Sequence, residues 1–161
     1  MKILKKLIVC AVLISMAMSC EKDDFCEFSS PTPNLVLRFY DKDVNDDLKS
    51  VQRLSIIAQG KTDSLYMNRT VDSIAIPLNT NATETIYTIK RNEATGNIAD
   101  NETAILTIRY TPEEQYLSRS CGFRFIFNNI TLEKTGWIDS LSITTLETIN
   151  SQENAHVNIF H

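Results

Sequence analysis

The chain has 161 residues, 43% of them hydrophobic and 22% charged, with a net charge of −4; this fits one globular domain and excludes a large multidomain enzyme. Four Gly and four Pro exclude collagen-like and flexible low-complexity chains, and recurrent Thr and Ile favour strand over helix. The acidic balance, with no Lys/Arg-rich patch interleaved with aromatics, disfavours a nucleic-acid partner.

The first expected element is an export signal. Lys2, Lys5 and Lys6 precede an apolar stretch from Leu7 to Met18 that only Ser15 interrupts. A transmembrane helix needs about 20 apolar residues, so this stretch reads as a signal peptide over residues 1–19. Ala17-Met18-Ser19 before Cys20 suits an ordinary signal peptidase. The same bond resembles a lipobox, whose Cys receives diacylglycerol on its sulfur, although Ala17 and Met18 depart from the usual form. Cysteine arithmetic favours lipidation of Cys20. Cys10 leaves with the signal, and Cys20, Cys26 and Cys121 would be an odd set in an oxidising compartment unless Cys20 carries lipid.

Residues 20–33 then form a lipid-anchored linker. Glu21-Lys22-Asp23-Asp24 resembles the export signal that sends Bacteroidota lipoproteins to the outer face of the outer membrane. The expected location is therefore the outer membrane, lipid-anchored and surface-exposed, with a periplasm-facing lipoprotein as the alternative. Loss of the signal removes three lysines and no acid, so the exported domain is more negative than the whole chain.

Residues 34–161 read as strands. Leu35, Leu37 and Phe39 alternate with Val36, Arg38 and Tyr40; Leu54, Ile56 and Ala58 follow the polar stretch Asp41 to Ser50. Ile74, Ile76 and Leu78 come next, with Pro77 marking a strand end or an edge. Tyr87 and Ile89, then Ala104, Leu106, Ile108 and Tyr110, continue the period of two. Phe123, Phe125 and Phe127 make the heaviest apolar row, and Leu141, Ile143, Val157 and Ile159 close the set.

Turn chemistry separates these runs at Gln59-Gly60-Lys61-Thr62, Asn79-Thr80-Asn81, Thr95-Gly96-Asn97 and Thr135-Gly136-Trp137. No long amphipathic helical pattern intervenes, so hairpins or Greek-key arches are expected in place of βαβ crossovers. The expected fold is all-β: one antiparallel β-sandwich of seven to nine strands resembling immunoglobulin or fibronectin type III architecture, with a partly closed barrel as alternative. One helical turn is expected at Pro112 to Tyr116, with Thr111 as its cap. Cys26 precedes the first strand and Cys121 opens the Phe-rich strand. A bridge between them would tie the linker to the sandwich; the alternative is two free, buried thiols.

Chemical constellations are sparse. Asp41, Asp43 and Asn45 open like a calcium loop, but Asp46 stands where the turning Gly belongs and Gln52 where the bidentate Glu belongs, so a solvated hairpin is expected and no metal. Glu113 and Glu114 are adjacent carboxylates on one turn and need no catalytic reading. The two histidines, His156 and His161, are not brought to Cys121 by sequence. No cofactor motif occurs. Asn68, Asn81, Asn101 and Asn129 open N-x-Thr sequons that Thr-rich strands generate by chance. Asp63-Ser64-Leu65, Asp72-Ser73-Ile74 and Asp139-Ser140-Leu141 resemble the D-S/T-aliphatic O-glycosylation motif of exported Bacteroidota proteins, which makes Ser64, Ser73 and Ser140 candidate acceptors. Trp137, with Tyr66, Tyr87, Tyr110 and Tyr116, is a candidate glycan-stacking contact if these rings share an exposed face.

The segments Pro33 to Asp41, Val71 to Asn79, Ser118 to Phe123 and Ala155 to Phe160 resemble an uncharacterised Bacteroidota lipoprotein family classed as a domain of unknown function. That resemblance implies location and fold and carries no catalytic assignment. The expected function is a non-enzymatic, membrane-anchored envelope binding or assembly module, held by Cys20 and meeting another envelope protein or a glycan. A glycan-binding accessory surface lipoprotein is the alternative.

Overall fold

The computed structural model describes residues 26, 32–44, 47–93, 101–143 and 148–161. The signal, Cys20, the acidic tetrad after it, the Thr95-Gly96-Asn97 turn, and Asn45 and Asp46 of the acidic loop lie outside the described residues.

Alternating side chains of the expected kind build β1 (Leu35–Tyr40), β2 (Val51–Ala58), β4 (Ser73–Ile76), β5 (Glu84–Arg91) and β10 (Val157–Phe160). Between and after them come β3 (Ser64–Val71), β6 (Glu102–Ser118), β7 (Gly122–Lys134), β8 (Ser140–Ile143) and β9 (Thr148–Ile149). They form a four-stranded sheet, β4-β1-β10-β8, and a six-stranded sheet, β3-β2-β5-β6-β7-β9. The protein is therefore all-β with two sheets, one of them curled as a half-barrel.

Leu35, Leu37 and Phe39 from β1 meet Leu54, Ile56, Tyr87, Ile89, Leu106 and Ile108 in one continuous core. Burying each such side chain contributes about 1.5–3 kcal/mol. Tyrosines of the six-stranded sheet tie the layers together at one end. The Tyr66 hydroxyl donates to the Ala75 carbonyl at 2.9 Å, the Tyr110 hydroxyl to the Asn79 carbonyl at 2.9 Å, and the Tyr87 hydroxyl to the Pro77 carbonyl. Burial holds the Tyr87 phenol far above its ordinary pKa, so it remains a donor.

Four expectations change. The first is strand number: ten strands are present among the described residues, because β3 and β9 carry no strong apolar row. Most of β3 is exposed, and β9 has two residues. The second is strand direction. β1 and β10 pair in parallel, Leu37 opposite Val157 and Phe39 opposite Ile159. No short connection joins them, so the hairpin logic that forces antiparallel neighbours does not apply. Third, this strand order does not show the immunoglobulin or fibronectin topology expected from the hairpins. Fourth, Pro112 to Tyr116 is strand, paired opposite Phe127 to Phe123. Cross-strand pairing with the Phe row outweighs the local cap signal, and Pro112 lies where β5 has already ended, so its missing donor is tolerated.

Bulges bend the long strands. Register shifts interrupt β2–β3 and β6–β7, and Arg53, Asn68 and Asn129 adopt positive φ at or beside them. Asn tolerates this conformation better than most residues, so two of the sequon asparagines have a backbone role.

Candidate functional site

One exposed feature is a hairpin arm. β5 pairs with β6 only as far as Glu84 opposite Arg109, whereas β6 and β7 stay paired out to Ser118 opposite Gly122. From Glu113 to Ile126 the sheet is thus reduced to a two-stranded ribbon, roughly 20 Å long at the usual rise per residue. Among the described residues no strand covers the Thr111–Ser118 edge on the side away from β7. β7 meets β9 at Phe127 and Asn128, and the Phe125 amide donates to Thr32 Oγ1 at 3.1 Å.

One face of the ribbon carries an aromatic row from the core into solvent. Phe127 is fully buried, Phe125 packs against the core, and Phe123 is 57% exposed. Tyr116, opposite Phe123, is 56% exposed, and the two rings meet edge to face with centroids 5.2 Å apart. The row expected from the sequence is real, but only its inner half is core.

Arg119 stands in the turn. Arg124 donates from Nε to Gln115 Oε1 at 2.8 Å and from Nη1 to the Asn150 carbonyl at 3.2 Å. From Gln115 to Phe125 there is no Asp or Glu, so the tip is basic on an acidic chain. Glu113 and Glu114 sit at the arm's base, opposite Ile126 and Phe125, on opposite faces of the strand. They do not converge as a catalytic pair.

A disulfide joins the tip to the linker. Cys26 and Cys121 are bonded with their Cα atoms 4.9 Å apart across 95 residues of sequence. Cys121 is accordingly no thiol nucleophile.

A second polar cluster lies at the opposite end of β6, near Glu102. Trp137 donates its indole N–H to the Ile89 carbonyl at 3.1 Å, packs against Phe39 and His161, and has the Arg91 guanidinium 4.8 Å over its ring. Arg91 also pairs with Glu102 at 2.6 Å. The rings expected to gather with Trp137 do not. Tyr87 and Tyr110 are buried, Tyr66 bonds β4, and Tyr116 is on the arm. Asp41 accepts from the Asp43 amide at 2.8 Å and pairs with Lys49 at 2.8 Å. The Lys49 hydrogen bond is the main reason its carboxyl falls to about 2. Its carboxylate is thus engaged by a local turn and a lysine.

His161 and His156 are both buried and tie β10 to its neighbours. His161 Nε2 donates to the Lys49 carbonyl at 3.2 Å, which leaves Nδ1 to accept from Arg91 at 3.4 Å. His156 Nδ1 accepts from the Val36 amide at 2.9 Å, and its own amide donates to the Val36 carbonyl at 2.9 Å. Burial lowers both pKa values from 6.5, with the Lys49 and Arg91 charges adding to the effect at His161. A base depressed in the folded state favours folding above its unfolded pKa of 6.5, and that contribution is lost as pH falls through the lower folded value. The urea midpoint should therefore be level above neutrality and fall between about pH 6.5 and pH 5, before the carboxylates titrate. A level midpoint across that window would refute this role.

Of the three candidate acceptor serines, Ser140 alone is exposed, at the start of edge strand β8. Ser64 donates to the Ile56 carbonyl at 2.9 Å, and Ser73 donates to the Leu37 carbonyl at 3.2 Å.

The sequence conceals the arm because the Thr111-Pro112 cap signal masks a continuing alternation. Tyr110, Pro112, Glu114 and Tyr116 carry forward the face of Ala104, Leu106 and Ile108.

A family model described as a family of unknown function, DUF6452, matches residues 53–161. The matched stretch includes the arm and Cys121 and starts after Cys20, Cys26 and β1. No curated protein and no solved structure matches the chain.

Proposed function

The chain belongs to this family of unknown function, and we propose that the protein is a lipid-anchored, non-enzymatic module of the cell envelope, exported by residues 1–19 and acylated on Cys20. One observation carries the reading: Cys26 and Cys121 are bonded to each other. Once Cys10 departs with the signal, that bond accounts for two of the three remaining cysteines, and the third, Cys20, stands at the lipobox-like Ala17-Met18-Ser19-Cys20. The basic start, the apolar run and the Lys22-Asp23-Asp24 sequence after the acylated residue support outer-membrane attachment with the domain facing outward. A disulfide-closed two-sheet domain is suited to presenting a rigid surface beyond a short tether.

Labelling cells with a palmitate analogue tests the anchor. Label is expected on the wild type and absent from Cys20→Ala, and protease shaving of intact cells is expected to remove the wild-type domain. Equal labelling of the two proteins would refute the anchor; protection from shaving would place the domain on the periplasmic side.

A further inference from the structure

We infer that the tip of the β6–β7 arm is a second membrane contact, with Tyr116 and Phe123 seated in the headgroup layer of an anionic lipid surface and Arg119 of the turn facing its phosphates. The inference rests on the lipid-anchor reading for the position of the bilayer, and the rest of it comes from the geometry of the arm.

The first argument is distance. Six residue steps separate Cys20 from Cys26, which at full extension span about 20 Å. The disulfide then holds Cys121 beside Cys26, with Cα atoms 4.9 Å apart. A lipid on Cys20 therefore keeps the arm tip within about 25 Å of the bilayer surface, whatever path the tether follows. Thr32, which leads into β1, accepts from the Phe125 amide at the base of the same arm, so the chain enters the domain beside it. The Trp137 and His161 cluster lies at the far end of β6.

Surface chemistry is the second argument. Tyr116 and Phe123 are each more than half exposed and in edge-to-face contact. An aromatic pair with one phenolic hydroxyl suits the boundary between acyl chains and headgroups. Two arginines and no acid between Gln115 and Phe125 complement anionic lipid, although the chain as a whole carries a net charge of −4. Glu113 and Glu114 mark the limit of insertion, since they would be repelled from that surface. A tethered tip needs little affinity of its own, because the anchor raises its local concentration.

Vesicles of phosphatidylethanolamine and phosphatidylglycerol, carrying lipids brominated near the headgroup, test the inference with acylated full-length mature protein. Wild-type protein reports through Trp137 at the far end and should be unquenched. Phe123→Trp adds a reporter at the tip, and its emission should be blue-shifted and quenched. If Phe123→Trp floats with the vesicles yet is quenched no more than wild type, the inference is overturned while the anchor stands. A blue shift that follows protein concentration without bromine quenching assigns the aromatic pair to a second copy or another protein and also overturns it.

Should acylation itself fail, the unlipidated Cys20→Ala chain decides alone. Its partitioning onto the same vesicles should fall roughly tenfold on Phe123→Ser, the loss of one half-buried aromatic ring. Equal partitioning of the two would overturn the inference. Because Tyr116 and Phe123 lie outside the core, unchanged near-ultraviolet circular dichroism is expected to verify folding of each variant.

Discussion

Replacing Cys26 or Cys121 by Ser is expected to lower the unfolding free energy by roughly 4–5 kcal/mol, the largest change in stability that one residue of this protein controls short of emptying its core. The size follows from the loop. The bond closes 95 residues of sequence separation, and the chain-entropy cost of leaving such a loop open is borne by the unfolded state. Neither cysteine fills the core: Cys26 is exposed and Cys121 half-buried. Serine therefore leaves little cavity, and the loss reports on the cross-link itself. Small domains are stable by only about 5–15 kcal/mol, so the variant should be close to unfolding at physiological temperature. β1 stays in place through Leu35, Leu37 and Phe39, all fully buried in the core. Urea unfolding of the Cys20→Ala chain with and without reductant measures the effect, and coincident midpoints would refute it. Amide exchange adds a local readout: protection around Tyr116 to Arg124 should fall most.

Gly136→Ala is expected to cost about 3 kcal/mol or more, although it adds a single methyl group. Gly136 has φ of 75°, a conformation that L side chains avoid. An added Cβ would lie 2.1 Å from the Thr103 carbonyl oxygen and 2.7 Å from the Ala104 Cα. Those atoms belong to β6, where Thr103 and Ala104 are paired with Lys90 and Ile89 of β5. They cannot retreat without breaking a ladder. The neighbouring Trp137 would be displaced from Phe39 and from the Ile89 carbonyl, so its fluorescence should shift in the folded variant. Gly122 is the control. Its φ is 70°, but an added Cβ meets nothing within 4 Å, so Gly122→Ala should cost only about 1 kcal/mol. Equal losses at the two positions would show that backbone conformation alone, and not close approach, governs Gly136.

Much of the two-sheet core is legible in the sequence itself. Leu35, Leu37 and Phe39 alternate and are all fully buried; so do Ala104, Leu106 and Ile108. Period two is a local property, because successive side chains of any strand point to opposite faces. β3 is hard to see in the sequence because an edge strand with one partner buries few side chains, and it keeps only Tyr66 and Val71 packed against the core. The candidate arm is half legible. The Phe row and the paired cysteines stand out in the sequence, whereas the exposure of Phe123 depends on β5 beginning only at Glu84, a fact about another strand. Trp137 invites a ligand reading from its residue type, yet its ring lies between the core and Arg91.

The amino-acid order by itself determined the all-β class, the alternating inner faces and the pair of cysteines available for a bridge, since each is a matter of neighbours along the chain or of counting. The tertiary structure alone decided that β1 and β10 run in parallel, that Thr111 to Tyr116 is strand, and that the β6–β7 hairpin outruns its sheet. Val36 and His156, 120 residues apart, bond to each other because the core can close only when both ends of the domain enter the same sheet. No local pattern encodes which distant strand will lie alongside, and that choice is made by the burial and hydrogen bonding of the whole assembly at once.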